Sequence, residues 1–244
     1  MEDLCDLLFE FSSTGRMNIM HSLLKERLKL SHVSKKLDMT VTEASRHLQR
    51  LSDIQLIEKD VDGMFGPTPY GELAFKLLSS LDFISNNRQY FLEHDVSGLP
   101  DEFISRINEL STGKLTVNVH SVLPYVNTMI QDANDYIWIL SYGRTLPNTL
   151  PILEDKVNNG GVSLRRINPE GIIPSPNSPI LTDPRRTVQN IDVRIVMNEK
   201  EAMCSFPLMN GNVDYISFIG KDPKIHKWCK DVFLHYWEMS KPIN

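Results

Sequence analysis

Leu30, Val33 and Leu37 lie three and four residues apart, which gives one short helix a single apolar stripe. Asp38 and Met39 interrupt that stripe. Thr40-Val41-Thr42-Glu43 then supplies an N-cap Thr with Glu three positions on, the reciprocal box that opens a second helix. Along it Val41, Ala44, Leu48 and Leu51 share one face, and Thr42, Ser45, Arg46 and Gln49 share the opposite one. Residues 30–51 read as a helix-turn-helix.

The polar face of the second helix holds hydroxyls, an amide and a guanidinium, and no acid. Such groups hydrogen-bond base edges and phosphates, and a major groove admits one helix. The expected DNA contacts are Thr40, Thr42, Ser45, Arg46, Gln49 and Arg50, with Lys59 added from the segment that follows. An ordinary solvated helix would look the same, so the next residues matter. Leu56-Ile57-Glu58-Lys59 reads as a strand, Asp62-Gly63 as a hairpin turn and Met64-Phe65 as the return. A helix-turn-helix followed at once by a hairpin is a winged helix. The wing tip, Asp60-Val61-Asp62-Gly63, is acidic, and acids facing phosphates repel them. The wing is therefore expected to play a minor part and the second helix the main one.

With these elements in place, residues 13–71 resemble the ArsR-type winged-helix transcription regulators. The matching residues are Ser45-Arg46-His47-Leu48, Leu51, Leu56-Ile57-Glu58, the wing glycine Gly63, and Thr68-Pro69-Tyr70-Gly71 opening the next helix. The resemblance implies binding of double-stranded DNA by a homodimer, with the terminal helices at the dimer contact. Leu4, Leu7, Leu8 and Phe11 form one side of a first short helix. From Tyr70 onward Leu73, Leu77, Leu78, Leu81 and Ile84 continue to Tyr90, Phe91 and Leu92, a stretch that reads as a dimerisation helix or a bridge to a second domain. Arg16 and Lys25 read as solvated charges. Many ArsR-type proteins carry a metal-binding Cys-x-Cys in the first helix of the motif; here those positions are Ser31-His32-Val33, so no metal site is expected there.

A net charge of −5 looks wrong for a DNA binder, but its distribution matters more than its total. Residues 16–50 hold eight Lys or Arg against three acids, a local +5. Screening over about 8 Å at physiological salt lets such a patch act despite the total. No run approaches the roughly 18 apolar residues of a membrane span, and the acidic start MEDLCDLLFE is unlike a signal peptide. Three widely spaced cysteines argue for a reducing interior over a disulfide framework. The expectation is a soluble, cytoplasmic protein.

Ser97-Gly98-Leu99-Pro100 is the clearest punctuation in the chain, which puts the expected domains at 1–97 and 98–244. A short helix is expected over Asp101–Leu110. Beyond it, strands at Leu115–Val119, Tyr136–Leu140 and Val162–Ile167 alternate with helices at Ser121–Asn134 and Pro147–Asn158. Strands at Ile191–Met197, Ala202–Phe206 and Tyr215–Ile219 and a closing helix at Lys221–Met239 follow the proline-rich residues 171–184, a loop of a length that is usually functional or disordered. The expected fold is an α+β winged helix-turn-helix followed by an α/β domain with a mostly parallel or mixed sheet. This order, with Asn159-Gly160-Gly161-Val162 feeding a strand, resembles the C-terminal domain of archaeal regulators that join an ArsR-type winged helix to a sensing domain and are linked to methanogenesis. It is also similar to one half of the phospholipase D fold, which archaeal sugar-responsive regulators reuse as a ligand sensor.

Phospholipase D chemistry needs a His nucleophile, a Lys two residues later and an Asp further on. His226 is followed by Lys227 and Trp228, which breaks the pattern, and no phosphate-binding glycine loop or serine elbow occurs. The domain is expected to sense and not to catalyse, without a cofactor; a phosphodiesterase-like enzyme with the winged helix as a protein-interaction module is the alternative. His226, Cys229 and Cys204 could meet as a soft-metal trio, or Cys204 and Cys229 as a redox pair, although a buried cysteine more often packs as a small hydrophobe. In open α/β sheets ligands bind beyond the carboxyl ends of strands. Two such ends carry Ser141-Tyr142-Gly143-Arg144 and Asn168-Pro169-Glu170, so Tyr142, Arg144 and Asn168 are the expected ligand contacts. Arg144 would anchor a small acidic metabolite through its planar fork, or else pair with a surface acid.

Overall fold

The computed structural model describes residues 2–116, 118–143, 147–172 and 185–243. They divide into two compact units, Met1–Leu81 and Asp82–Asn244. The first unit contains α1 (Glu2–Phe11), α2 (Thr14–Leu23), β1 (Leu28–Lys29), α3 (Leu30–Lys36), α4 (Val41–Asp53), β2 (Ile57–Lys59), β3 (Met64–Pro67) and most of α5 (Pro69–Asn86). β3 lies between β1 and β2, antiparallel to both. Ile19, Met20 and Leu23 of α2 meet Val33 of α3, Ala44, Leu48 and Leu51 of α4, and Leu56 and Ile57 at the wing base. Each large aliphatic side chain so buried contributes about 1.5–3 kcal/mol. This is the expected winged helix, with its apolar stripes turned inward.

The second unit adds α6 (Arg88–Glu93), α7 (Asp101–Ile104), a 3-10 helix (Ile107–Thr112), β4 (Lys114–Leu115), α8 (Val119–Gln131), β5 (Tyr136–Leu140), α9 (Leu150–Asn158), β6 (Ser163–Pro169), β7 (Arg185–Val188), β8 (Arg194–Asn198), β9 (Ala202–Ser205), β10 (Phe218–Gly220), α10 (Pro223–Met239) and β11 (Lys241–Pro242). The eight strands form one sheet in the order β11-β7-β6-β5-β8-β9-β10-β4. Only β5–β6 and β6–β7 pair in parallel among the described residues. The sheet is mixed. β5 and β6 are joined through α9, long enough to return the chain to the same edge. β8 turns directly into β9 over Asn198, whose Oδ1 accepts from Lys200 N and Glu201 N at 2.8 Å, and so tight a hairpin must run antiparallel. β5 shows period-two burial on both faces. Ile137 and Ile139 join Val126 and Ile130 of α8 and Leu153 of α9, while Trp138 and Leu140 join Trp228 and Phe233 of α10.

The boundary differs from the expected 97/98. Phe83, Tyr90 and Phe91 pack on Phe218, with ring centroids 5.3, 5.1 and 6.2 Å away, and Phe206 N donates to the Tyr90 hydroxyl at 3.1 Å. These aromatics anchor residues 82–97 in the second unit. Leu99, within the supposed linker, is buried in the same core. The helix expected over Ser121–Asn134 starts earlier, because Asn118 Oδ1 caps it by accepting from Ser121 N at 2.9 Å. The strand expected over Leu115–Val119 is reduced to β4, and β7 and β11 were not anticipated. Residues 173–184, most of the proline-rich loop, lie outside the described residues.

Candidate nucleic-acid interface

The turn between α3 and α4 is closed locally. Asp38 takes a left-handed conformation at φ 50°, and the Ser34 hydroxyl donates to Met39 O at 2.7 Å. Thr40 then caps α4 reciprocally: its Oγ1 accepts from Glu43 N at 3.2 Å, and Glu43 Oε2 accepts from Thr40 N at 3.3 Å. Such a cap is worth about 1 kcal/mol to a helix. Its cost is that Thr40, though exposed, already spends its hydroxyl on the helix.

Thr42, Ser45, Arg46 and Gln49 are all exposed and line one shallow groove with Leu30 and Val41. Among the described residues no side-chain hydrogen bond or ion pair engages Thr42, Ser45 or Arg46, whose backbones belong to α4. Gln49 Nε2 donates to Asp53 Oδ1 at 2.6 Å, one turn on, and leaves its carbonyl outward. Ser45 and Gln49 also line a second groove, between α4 and the wing, together with Lys59 and Phe65. The Lys59 ammonium sits 5.4 Å from the centroid of the Phe65 ring.

Arg50, expected at the DNA, is turned toward α1. Its Nη2 donates to Glu10 Oε1 at 2.6 Å, and its guanidinium lies 5.3 Å from the Phe9 centroid. Glu10 also pairs with Arg16 at 2.8 Å, and both of these side chains are buried. Arg16 is thus no solvated charge: its Nε and Nη2 donate to the carbonyls of Glu10 and Phe9. The wing's acids are likewise occupied. Arg27 pairs with Glu58 at 2.8 Å and Asp60 at 3.3 Å, and Asp60 Oδ1 accepts from the Met64 and Asp62 amides, which with Arg27 holds its carboxyl below the usual range. Asp62 at the tip is exposed. Arg27 is not conspicuous in the sequence because its partners lie 31 and 33 residues further along the chain.

His47, on the flank of α4 next to Arg46, abuts Gly15 of α2. A Cβ at Gly15 would stand 2.8 Å from the imidazole Nε2, so a larger residue there would have to displace the ring. Partial burial lowers the His47 pKa, and the guanidinium groups of Arg16, Arg46 and Arg50 push the same way.

In the second unit the expected ligand contacts part company. Asn168, next to last in β6, lines a cavity of about 80 Å³; its Nδ2 donates to Ser141 O at 3.1 Å and Gly143 O at 2.9 Å. Tyr142 packs instead on the α10 side of the sheet, with its hydroxyl buried and unpartnered among the described residues. Arg144 lies outside the described residues. The cavity's charged groups are Arg166 and Arg194, which sequence reading did not single out. A basic residue inside otherwise apolar strands, as in Val193-Arg194-Ile195-Val196, was the available signal. Cys204 and Cys229 are buried neighbours, and burial pushes the Cys229 thiol up. His226 points elsewhere, to Asn198 O at 2.8 Å. Among the described residues no group of three or more His, Cys, Asp or Glu could hold a metal, and no helix is long and apolar enough to cross a membrane.

No protein-family model matches the chain, and no curated protein does. Among solved structures it is similar to TrmBL2, an archaeal chromatin protein, at 11% identity over 94% of this chain and 92% of that one, with a TM-score of 0.47. NucT from Helicobacter pylori is 13% identical over 54% of this chain and 98% of its own, with a TM-score of 0.44. Nuc from Salmonella typhimurium, a phospholipase D family member, is 14% identical over 50% of this chain and 90% of its own, with a TM-score of 0.40. Identities of 11–14% assign no residue a role.

Proposed function

We propose that the chain is a DNA-binding transcription regulator that works as a homodimer, with a second unit that senses a small ligand or a redox cue and does not catalyse. The observation that carries the DNA reading is the outward face of α4. Thr42, Ser45 and Arg46 are exposed and uncommitted on a helix fixed at its start by a reciprocal cap. Donors held at helical spacing on a rigid element suit the edges of bases, while Lys59, in the groove that Ser45 and Gln49 share with the wing, suits a phosphate. The acidic wing argues less strongly against DNA than its composition implied, because Arg27 neutralises its base. The ArsR-type assignment, the archaeal link and a cytoplasmic setting belong to the same proposal and rest on the sequence.

Dimerisation is supported by α5, where Leu73, Leu77 and Leu81 lie four residues apart and are 58%, 68% and 58% exposed. A stripe of leucines on one helix face suits a second copy of the same helix. The experiment is to capture fragmented genomic DNA with the purified full chain and sequence what is retained. A shared motif that is lost with Arg46→Ala supports the reading. Retained fragments with no common sequence would sink it.

A further inference from the structure

Arg166 and Arg194 stand on either side of β5. Arg166 is in register with Ile139, and Val196, two residues from Arg194, is in register with Ile139 on the other side. Side chains two apart leave a strand on the same face. Both arginines therefore rise from the α8–α9 face of the sheet, and both line the cavity that Asn168 closes. Both are buried, each only 7% exposed. Arg194 Nη1 has no hydrogen-bond partner among the described residues; its guanidinium lies 5.3 Å from the centroid of the Tyr215 ring, with Tyr142 also within electrostatic reach.

No acidic side chain lines the cavity among the described residues. A guanidinium does not shed its proton inside a protein, so it stays charged even where burial lowers its pKa, as burial does for Arg194. A buried charge without a partner is strongly unfavourable, and structures keep one where an ion is to be received. The remaining walls fix the rest of the occupant. Val126, Ile130, Ile139 and Val196 give an apolar floor, while Ser141 and Tyr215 supply hydroxyls near the arginines.

We propose that this cavity binds a small organic anion, its single oxyanion head on Arg194 and Arg166 and a short apolar body against Val126, Ile130, Ile139 and Val196. The inference deepens the sensor reading above, giving the ligand class and moving the anchor from Arg144 to the two strand arginines. It is tested without DNA, so its failure and a failure of DNA binding are separate results. Arg166 is level with Ile139 inside β5, while Arg194, one residue before the partner of Leu140 on the antiparallel strand, stands just past the end of β5, so the two guanidiniums border the cavity at successive depths. A carboxylate and a phosphate share that chemistry.

The full chain is titrated by calorimetry and followed by thermal unfolding with four probes: inorganic phosphate, butyrate, butyl phosphate and neutral butanol. Butyrate or butyl phosphate should bind and raise the Tm, more strongly than inorganic phosphate, and butanol should do neither; which of the two wins names the head group. Arg194→Met should weaken that binding by about tenfold or more, the worth of a charge-assisted hydrogen bond. It should leave the ligand-free Tm unchanged or higher, because an apolar side chain of similar volume replaces an unpaired charge. A purely structural arginine would give a lower Tm. Val213, 40% exposed at the cavity wall, gives a second variant that does not disturb the core. Val213→Glu places a carboxylate beside the arginines and should abolish anion binding even if Arg194→Met does not fold. The proposal is overturned if neither organic anion binds, if butanol matches butyrate, or if binding survives Val213→Glu.

Discussion

Glu10 holds Arg50 by three bonds, its Oε1 accepting from Nη2 at 2.6 Å and both its oxygens accepting from Nε at 3.2 Å. The same carboxylate is buried against Arg16, so one acid joins α1, α2 and α4. Removing it leaves a buried guanidinium without its counter-charge. Two backbone carbonyls still serve Arg16, which places the expected loss for Glu10→Ala near the low end for broken buried pairs, about 3 kcal/mol. Urea unfolding of the full chain measures it. A loss indistinguishable from zero would mean that α1 does not brace the recognition helix.

Arg46 and Arg50 lie one turn apart and should behave differently. Arg46→Ala should weaken binding to the cognate site by about 1–3 kcal/mol, as loss of a base contact does. Arg50→Ala should cost less affinity, because its guanidinium is already committed to Glu10. Fluorescence anisotropy on a labelled operator separates them; equal losses would show that Arg50 leaves Glu10 when DNA arrives.

His47 predicts a pH dependence. Its pKa is lowered in the fold, chiefly by burial, so the unfolded chain takes up a proton at a higher pH than the native one. The stability this neutral imidazole contributes is present above the unfolded value of about 6.5 and is lost as pH falls toward the lower native value. His47→Gln should flatten that part of the curve. Unfolding of both proteins at pH 7.5 and at about pH 5.5 tests it; parallel losses in the two would assign the acid sensitivity elsewhere.

Leu77 is the most exposed leucine of the α5 stripe. Leu77→Glu puts like charges face to face in a two-fold contact and should convert a dimer to monomers, with weaker operator binding as a result. Light scattering at micromolar concentration gives the answer. A wild-type chain that is already monomeric there would remove the dimer from the proposal.

What the sequence disclosed was local. The Thr40–Glu43 box, the stripes of α3 and α4 and the hairpin around Gly63 each sit within a few residues, and each appears where expected. Long-range pairings were hidden. Glu10 meets Arg50 forty residues on, and nothing in either neighbourhood announces it. The aromatics of residues 83–91 read as a bridge because a helical pattern does not reveal which core it serves; their partners, Phe206 and Phe218, come more than a hundred residues later. The cavity suffered similarly. Arg166 and Arg194 become neighbours only through the register of three strands, whereas Tyr142, at the conspicuous strand end, points to the other face.

Gly71 begins α5 so close to the wing base that a Cβ there would come within 1.9 Å of Leu56 O. Thr68 N donates to that same carbonyl at 3.1 Å, and the Thr68 hydroxyl donates to Gln55 O at 2.6 Å while accepting from Gly71 N. The corner is closely packed and held by three hydrogen bonds. α5 is thus tied to the chain just past the recognition helix like the arms of a bell crank, so that a tilt of one arm would be passed to the other. In a dimer built on the leucine stripe, the distance between two DNA-reading helices would then follow the angle at which the two α5 helices cross.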